Sequence, residues 1–231
     1  MKERTFYTAI GHFCKKRSDY DGQTYPVVIV NRKEHILDIQ EMAVWTTLCW
    51  GLMDFAKLEM KYDQLMVGQR GARRSLEFCI ERMQTRGLIA SGTGRTDFEA
   101  IYDLLGSLYV VPISEHIPLR IITFLKLILV RGVSWKRACI LFQHDCRNER
   151  EEQVMALSKQ ALLSTAELIK CAESGIEDVS MDEKLLDALY SDANSTSDNL
   201  PDMMRGESQQ IPVTLAIANL YLRKQIILER L

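Results

Sequence analysis

Between Met66 and Arg95 the chain sets six arginines, Arg70, Arg73, Arg74, Arg82, Arg86 and Arg95, against two acids, Glu77 and Glu81. Guanidinium groups fork onto phosphate oxygens and onto guanine edges, so this cluster points to nucleic-acid recognition. Other chemistry-bearing residues are sparse. "GTGRTD", residues 92–97, has the outline of a phosphate loop, but Asp97 stands where a third glycine belongs and no lysine follows. It reads as a plain turn. Cys139, His144 and Cys146 form a C-x4-H-x-C run with no evident fourth ligand, and read as unrelated residues rather than a zinc site. His12, His35, His116 and His144 lie in unrelated contexts, and no nucleophile–base–acid set assembles around them. The expectation is a protein that is not an enzyme and carries no metal or cofactor.

The totals fit that reading. Of 231 residues, 47% are apolar and 26% charged, an ordinary globular balance. The net charge of −2 conceals an asymmetry. Met66–Arg95 carries +4, whereas Asp145–Gln210, with fifteen acids and six bases, carries −9. The first stretch suits phosphate and the second repels it. "MKERTFYTAIGHFCKKR" lacks the apolar core of a secretory signal, and "LRIITFLKLILV", residues 119–130, is too short to span a bilayer. Six cysteines without a CxxC pair fit a reducing compartment. A cytoplasmic protein without membrane association is expected.

The elements that position the arginines follow from periodicity. Val27–Val30 reads as a strand and Asn31–Glu34 as a turn, giving a hairpin. Asp38 and Glu41 form a capping box, and Met42, Trp45, Leu48, Cys49 and Leu52 predict a helix over 39–53. A short helix over 60–66 presents Leu65 and Met66 inward. The next, over 72–86, buries Leu76, Cys79, Ile80 and Met83 and stops at Gly87. "LIAS" then reads as a strand. Thr96 and Glu99 open a further helix, after which residues 108–111 return as that strand's partner. Beyond Pro112 and Pro118, helices are expected over 119–131, 134–143, 149–174, 181–192 and 210–230. Ser134 caps the second, and Ser180 with Glu183 boxes the fourth. No internal repeat is evident.

A strand pair passing into "LDIQEMAVWTTL", then a short helix, a longer helix and a strand, resembles the effector domain of response regulators, a winged helix-turn-helix. The resemblance covers residues 26–90, with Asp38 at the usual place of a threonine. Together with the helices expected after Pro118, it gives a mainly α fold with a small β component: a winged helix over 1–112 and an all-helical dimerisation or effector domain over 113–231. It also implies a transcriptional regulator that contacts double-stranded DNA through Arg70, Arg73, Arg74, Arg82 and Arg95. The apolar C-terminal stretch 208–231 would supply part of a homodimer interface. The other reading is a winged-helix protein- or peptide-binding module without DNA binding, similar to small peptide chaperones of ribosomally made peptide pathways. A groove open beside residues 27–30 would favour that reading, by peptide addition at a sheet edge.

Overall fold

The computed structural model describes residues 3–17, 22, 24–67, 74–113, 147–180, 189–190 and 195–231. Strands β1 (Arg4–Ala9), β2 (His12–Arg17), β3 (Thr24–Val30) and β4 (Lys33–Ile36) lead into helix α1 (Ile39–Leu48). Then come β5 (Met53–Asp54), α2 (Phe55–Met66), α3 (Leu76–Thr85), β6 (Ile89–Gly94), α4 (Asp97–Leu105) and β7 (Tyr109–Pro112). The C-terminal part holds α5 (Glu149–Gln160), β8 (Leu163–Ser164), α6 (Thr165–Glu173), α7 (Leu200–Met203), α8 (Gln210–Leu222) and β9 (Ile226–Glu229).

Helix accounts for 47% and strand for 24% of the described residues, which form three small antiparallel sheets ordered β5-β1-β6, β2-β3-β4 and β8-β7-β9. This overturns the mainly α expectation of an N-terminal winged helix ahead of an all-helical domain. The N-terminal region is rich in strands, and the C-terminal half builds a sheet of its own. The error lies in strand pairing. β6 takes β1 as its partner, from Arg4↔Gly94 to Ala9↔Ile89, and not residues 108–111. β7 pairs instead with β8 and β9. Partners so distant in the chain leave no trace in local periodicity.

Two of the sheets belong to units with one design. In each, a central strand is flanked by a two-residue strand whose last residue caps a helix, and by a strand that follows the unit's last helix. The registers agree: Phe6 faces Asp54 and Gly92, and Tyr109 faces Ser164 and Glu229. Asp54 accepts from Lys57 N–H, and Ser164 forms a full capping box with Glu167. The last helices, α3 and α8, end alike. Gly87 (φ 72°) and Lys224 (φ 61°) are left-handed. Leu88 and Gln225 donate back to Met83 and Leu220, each at 2.9 Å, as in a Schellman turn. The next strand is thereby reversed onto the sheet in both units.

Local expectations fare better where caps decide. The Asp38–Glu41 box starts α1, and α3 buries Leu76, Cys79, Ile80 and Met83 as its spacing requires. α2 begins five residues before the expected point because Asp54 caps it; Met66 is buried but Leu65 is exposed. The long helix expected over 149–174 breaks at Ala161–Ser164, where the Ser164 box starts α6. The C-terminal helix stops at Leu222 and the chain continues as β9. Helices 119–131 and 134–143 and the Ser180–Glu183 box involve residues outside those described.

One core runs through both units. Tyr221 sits at their junction: its hydroxyl accepts from Thr8 Oγ1 and from Trp50 N–H, both at 2.9 Å. Gly11 N–H donates to Leu228 O at 2.8 Å, and Trp50 Nε1 donates to Ile226 O. No helix among the described residues is long and apolar enough to cross a membrane.

Candidate functional site

The arginine cluster is sorted by the N-terminal turn of α1. Asp38 Oδ1 accepts from the N–H groups of Gln40 and Glu41, each at 3.0 Å, while Glu41 Oε2 accepts from Asp38 N–H. Arg74 Nη2 donates to Asp38 Oδ2 at 2.7 Å, and Arg74 N–H donates to the Gln40 side chain. Burial would raise the Asp38 pKa, but the backbone donors and Arg74 together hold it below its ordinary value. Glu41, fully buried, is ion-paired with Arg82 Nε at 3.0 Å and accepts from Arg86 Nη1 at 3.0–3.1 Å. Arg86 also reaches Ile36 O.

The five expected DNA-contacting arginines therefore fall into different places. Arg70 and Arg73 lie outside the described residues. Arg74 and Arg82 are engaged with carboxylates and lock α3 to α1. Arg95 is exposed on the turn between β6 and α4, where its N–H donates to Glu99. Arg86, absent from the expected contact set, is the residue that ties the end of α3 to both α1 and β4. The outer face of α3 exposes Glu77, Phe78 and Glu81, and two acids on that face disfavour phosphate.

A second basic region lies outside the sequence-based expectation. Sheet β2-β3-β4 carries Lys15, Lys16, Arg17, Arg32 and Lys33 against one acid, Glu34, which pairs with Lys16. On β2 all but Cys14 are exposed, and among the described residues β2 pairs only with β3. Its signal is present in the sequence: "HFCKKR" contains no acid. Arg74 joins the two regions, because the acid it binds lies two residues past the end of β4. β3 has a partner on both sides, so no edge is open beside residues 27–30 for peptide addition.

An apolar cleft of about 930 Å³ lies where the two units meet, walled by Phe13, Met42, Trp45, Trp50 and Ile227. The Lys224 ammonium stands 5.5 Å from the Trp50 ring centre at its side. Burial pushes the Cys49 thiol on this wall up to about 11, so it is no nucleophile at neutral pH. Among the described residues no three His, Cys, Asp or Glu side chains gather as a metal site, and the C-x4-H-x-C run lies outside them. The glycines of "GTGRTD" serve packing: a Cβ on Gly92 would lie 2.1 Å from the Leu104 nitrogen, so only glycine lets α4 lie against β6. Most of the apolar surface of the C-terminal helix is used within the chain. Val213, Ala216, Ile217, Leu220 and Tyr221 are in the core, and Ile211, Leu215 and Leu222 remain exposed.

Comparison with known proteins gives no match to a family model, a curated protein or a solved structure.

Proposed function

We propose that the protein binds double-stranded DNA through the first unit, using the arginine-rich connector between α2 and α3 together with sheet β2-β3-β4. One observation carries the reading. The Arg74–Asp38 pair holds Arg74, the neighbour in sequence of Arg73, at the foot of the basic sheet. Arg74, which follows Arg73 in sequence, thus lies at the start of α1 next to the basic sheet, where phosphates of one ligand would meet both. Arg74 and Arg82 act in this reading as clamps that position the connector and α3. Phosphate contact falls to Arg70, Arg73, Lys15, Arg17 and Lys33. The exposed large apolar side chains of the sheet are Phe13 and Ile36, so it lacks the succession of aromatic platforms on which single strands stack.

The test is binding of a fluorescent duplex at several salt concentrations. Wild type should show a log–log salt slope, and the Arg70→Ala/Arg73→Ala and Lys15→Ala/Arg17→Ala pairs should each flatten it. The change expected is roughly 0.9 for every phosphate that a variant no longer neutralises. Unchanged affinity and slope in both folded double mutants would refute the proposal.

A further inference from the structure

The apolar cleft at the junction of the two units is walled by parts that are far apart in the chain. Phe13 comes from β2, Thr46 from α1 and Trp50 from the turn after it, while Ile113, Lys224 and Ile227 come from the second unit. At about 930 Å³ the cleft falls within the roughly 300–1,000 Å³ of small-molecule sites, which often lie where two domains meet. Phe13 and Ile113 line it and remain exposed.

Most polar side chains on this lining are engaged within the chain. Trp45 Nε1 donates to Ile10 O and Trp50 Nε1 to Ile226 O, both at 3.2 Å. Thr46 Oγ1 donates to Met42 O on its own helix. His12 Nδ1 stands 3.5 Å from Glu229 Oε1, so any charge on the imidazole has its counter-ion. Lys224 differs. It has no carboxylate partner among the described residues, and its ammonium rests over the Trp50 ring. One uncompensated positive charge therefore stands on an apolar wall.

The backbone under that charge is a second observation. Lys224 is left-handed at φ 61°, where the first unit has Gly87 at φ 72°. Glycine meets this turn without strain. A lysine there costs stability and contributes an ammonium that glycine lacks, which is the pattern of a residue kept for function.

We infer that the cleft binds a small aromatic carboxylate, its rings lodged among Phe13, Trp50 and Ile227 and its carboxylate paired with the Lys224 ammonium. Charge and shape select this occupant together. A single cation on an apolar lining suits one negative charge and not a polyanion. Rigid rings gain edge and offset-stacking contacts with tryptophan and phenylalanine, and lose less freedom on binding than an alkyl chain does. None of the side chains assigned to DNA phosphates lines the cleft, so failure of either proposal leaves the other standing.

Calorimetric titration of the full chain with naphthaleneacetate, with its neutral counterpart naphthaleneethanol and with decanoate tests this. One saturable site is expected for naphthaleneacetate. The alcohol should bind about three- to tenfold more weakly, the effect of one partly exposed charge pair, and decanoate should also be weaker. Lys224→Met should bring the acid down to the level of the alcohol, and Lys224→Arg should keep the acid's advantage. Thr46→Trp fills the cleft from an exposed position on α1 and should abolish binding; if that variant does not fold, the two Lys224 variants decide. Absence of saturable binding, equal binding of acid and alcohol, tighter binding of decanoate, an acid preference that survives Lys224→Met, or binding that survives Thr46→Trp overturns the inference.

Discussion

In the first unit a buried glutamate is held by two arginines, and in the second its counterpart is held by one. The two units also share the register of the central strand and the reversal after α3 and α8. What the two units keep is therefore what the frame needs: a capping acid at the third position of the first helix and an arginine at the end of the last. That pair fastens two helix ends that are 45 residues apart in the first unit and 72 in the second. What they vary is available to function. The first unit adds a basic sheet, and the second leaves one buried oxygen of Glu151 without a hydrogen-bond partner among the described residues.

Removing the shared arginine should separate the units most. Arg223→Ala leaves Glu151 buried without a cation, and should cost about 3 kcal/mol, the lower end for breaking a buried pair because Arg223 is partly exposed. Arg86→Ala leaves Glu41 still paired with Arg82, and should cost about 1.5 kcal/mol. Urea denaturation of both variants checks the order, and equal losses would break the comparison.

A smaller effect comes from the turn after the last helix. Lys224→Gly would give the second unit the residue of the first. Lysine in the left-handed region is strained by about 1–2 kcal/mol, and the contact with Trp50 returns about 0.5 kcal/mol. The substitution should therefore stabilise by about 1 kcal/mol, read as a raised midpoint in the same denaturation. An unchanged or lowered midpoint would mean that the Lys224 contacts matter more than the strain.

The smallest concerns the caps. Asn148 does in the second unit what Asp38 does in the first, so Asp38→Asn keeps the cap and removes the charge that Arg74 binds. The folded Asp38 pKa lies below its ordinary value. Its contribution is present above about pH 4 and disappears as pH falls through the lower folded value. Asp38→Asn should cost about 0.5 kcal/mol at neutral pH, and the cost should shrink as pH falls through the lowered folded pKa of Asp38. A destabilisation that persists in acid would place the effect in the cap itself.

The candidate site was partly legible. The arginine-rich connector is plain in the sequence, and so is the basic strand "HFCKKR" once charge is read by strand as well as by helix. The duplicated clamp also left a faint mark. "DIQE" and "NERE" are both capping boxes, and each is followed far downstream by an arginine at a helix end, Arg86 and Arg223. No identity of sequence links the units strongly enough to reveal a repeat. What they share is hydrogen-bond geometry, and side chains as different as Gly87 and Lys224 satisfy it.

By itself the sequence determined the start of α1, through its capping box, and the buried face of α3. A cap needs a side chain within three residues, and an amphipathic face repeats every three to four, so both are local. Only the tertiary structure decided which strands pair, and hence that three sheets replace the expected winged helix and helical domain. A strand's pairing depends on which edge is presented to it by chain folded elsewhere. Tyr109–Pro112 could not show that it would lie between Leu163–Ser164 and Ile226–Glu229 until those segments were placed beside it. The roles of the arginines followed from the same placement. A guanidinium that looks free for phosphate in sequence becomes a clamp once a buried carboxylate is brought within 3.0 Å of it, as Glu41 is of Arg82.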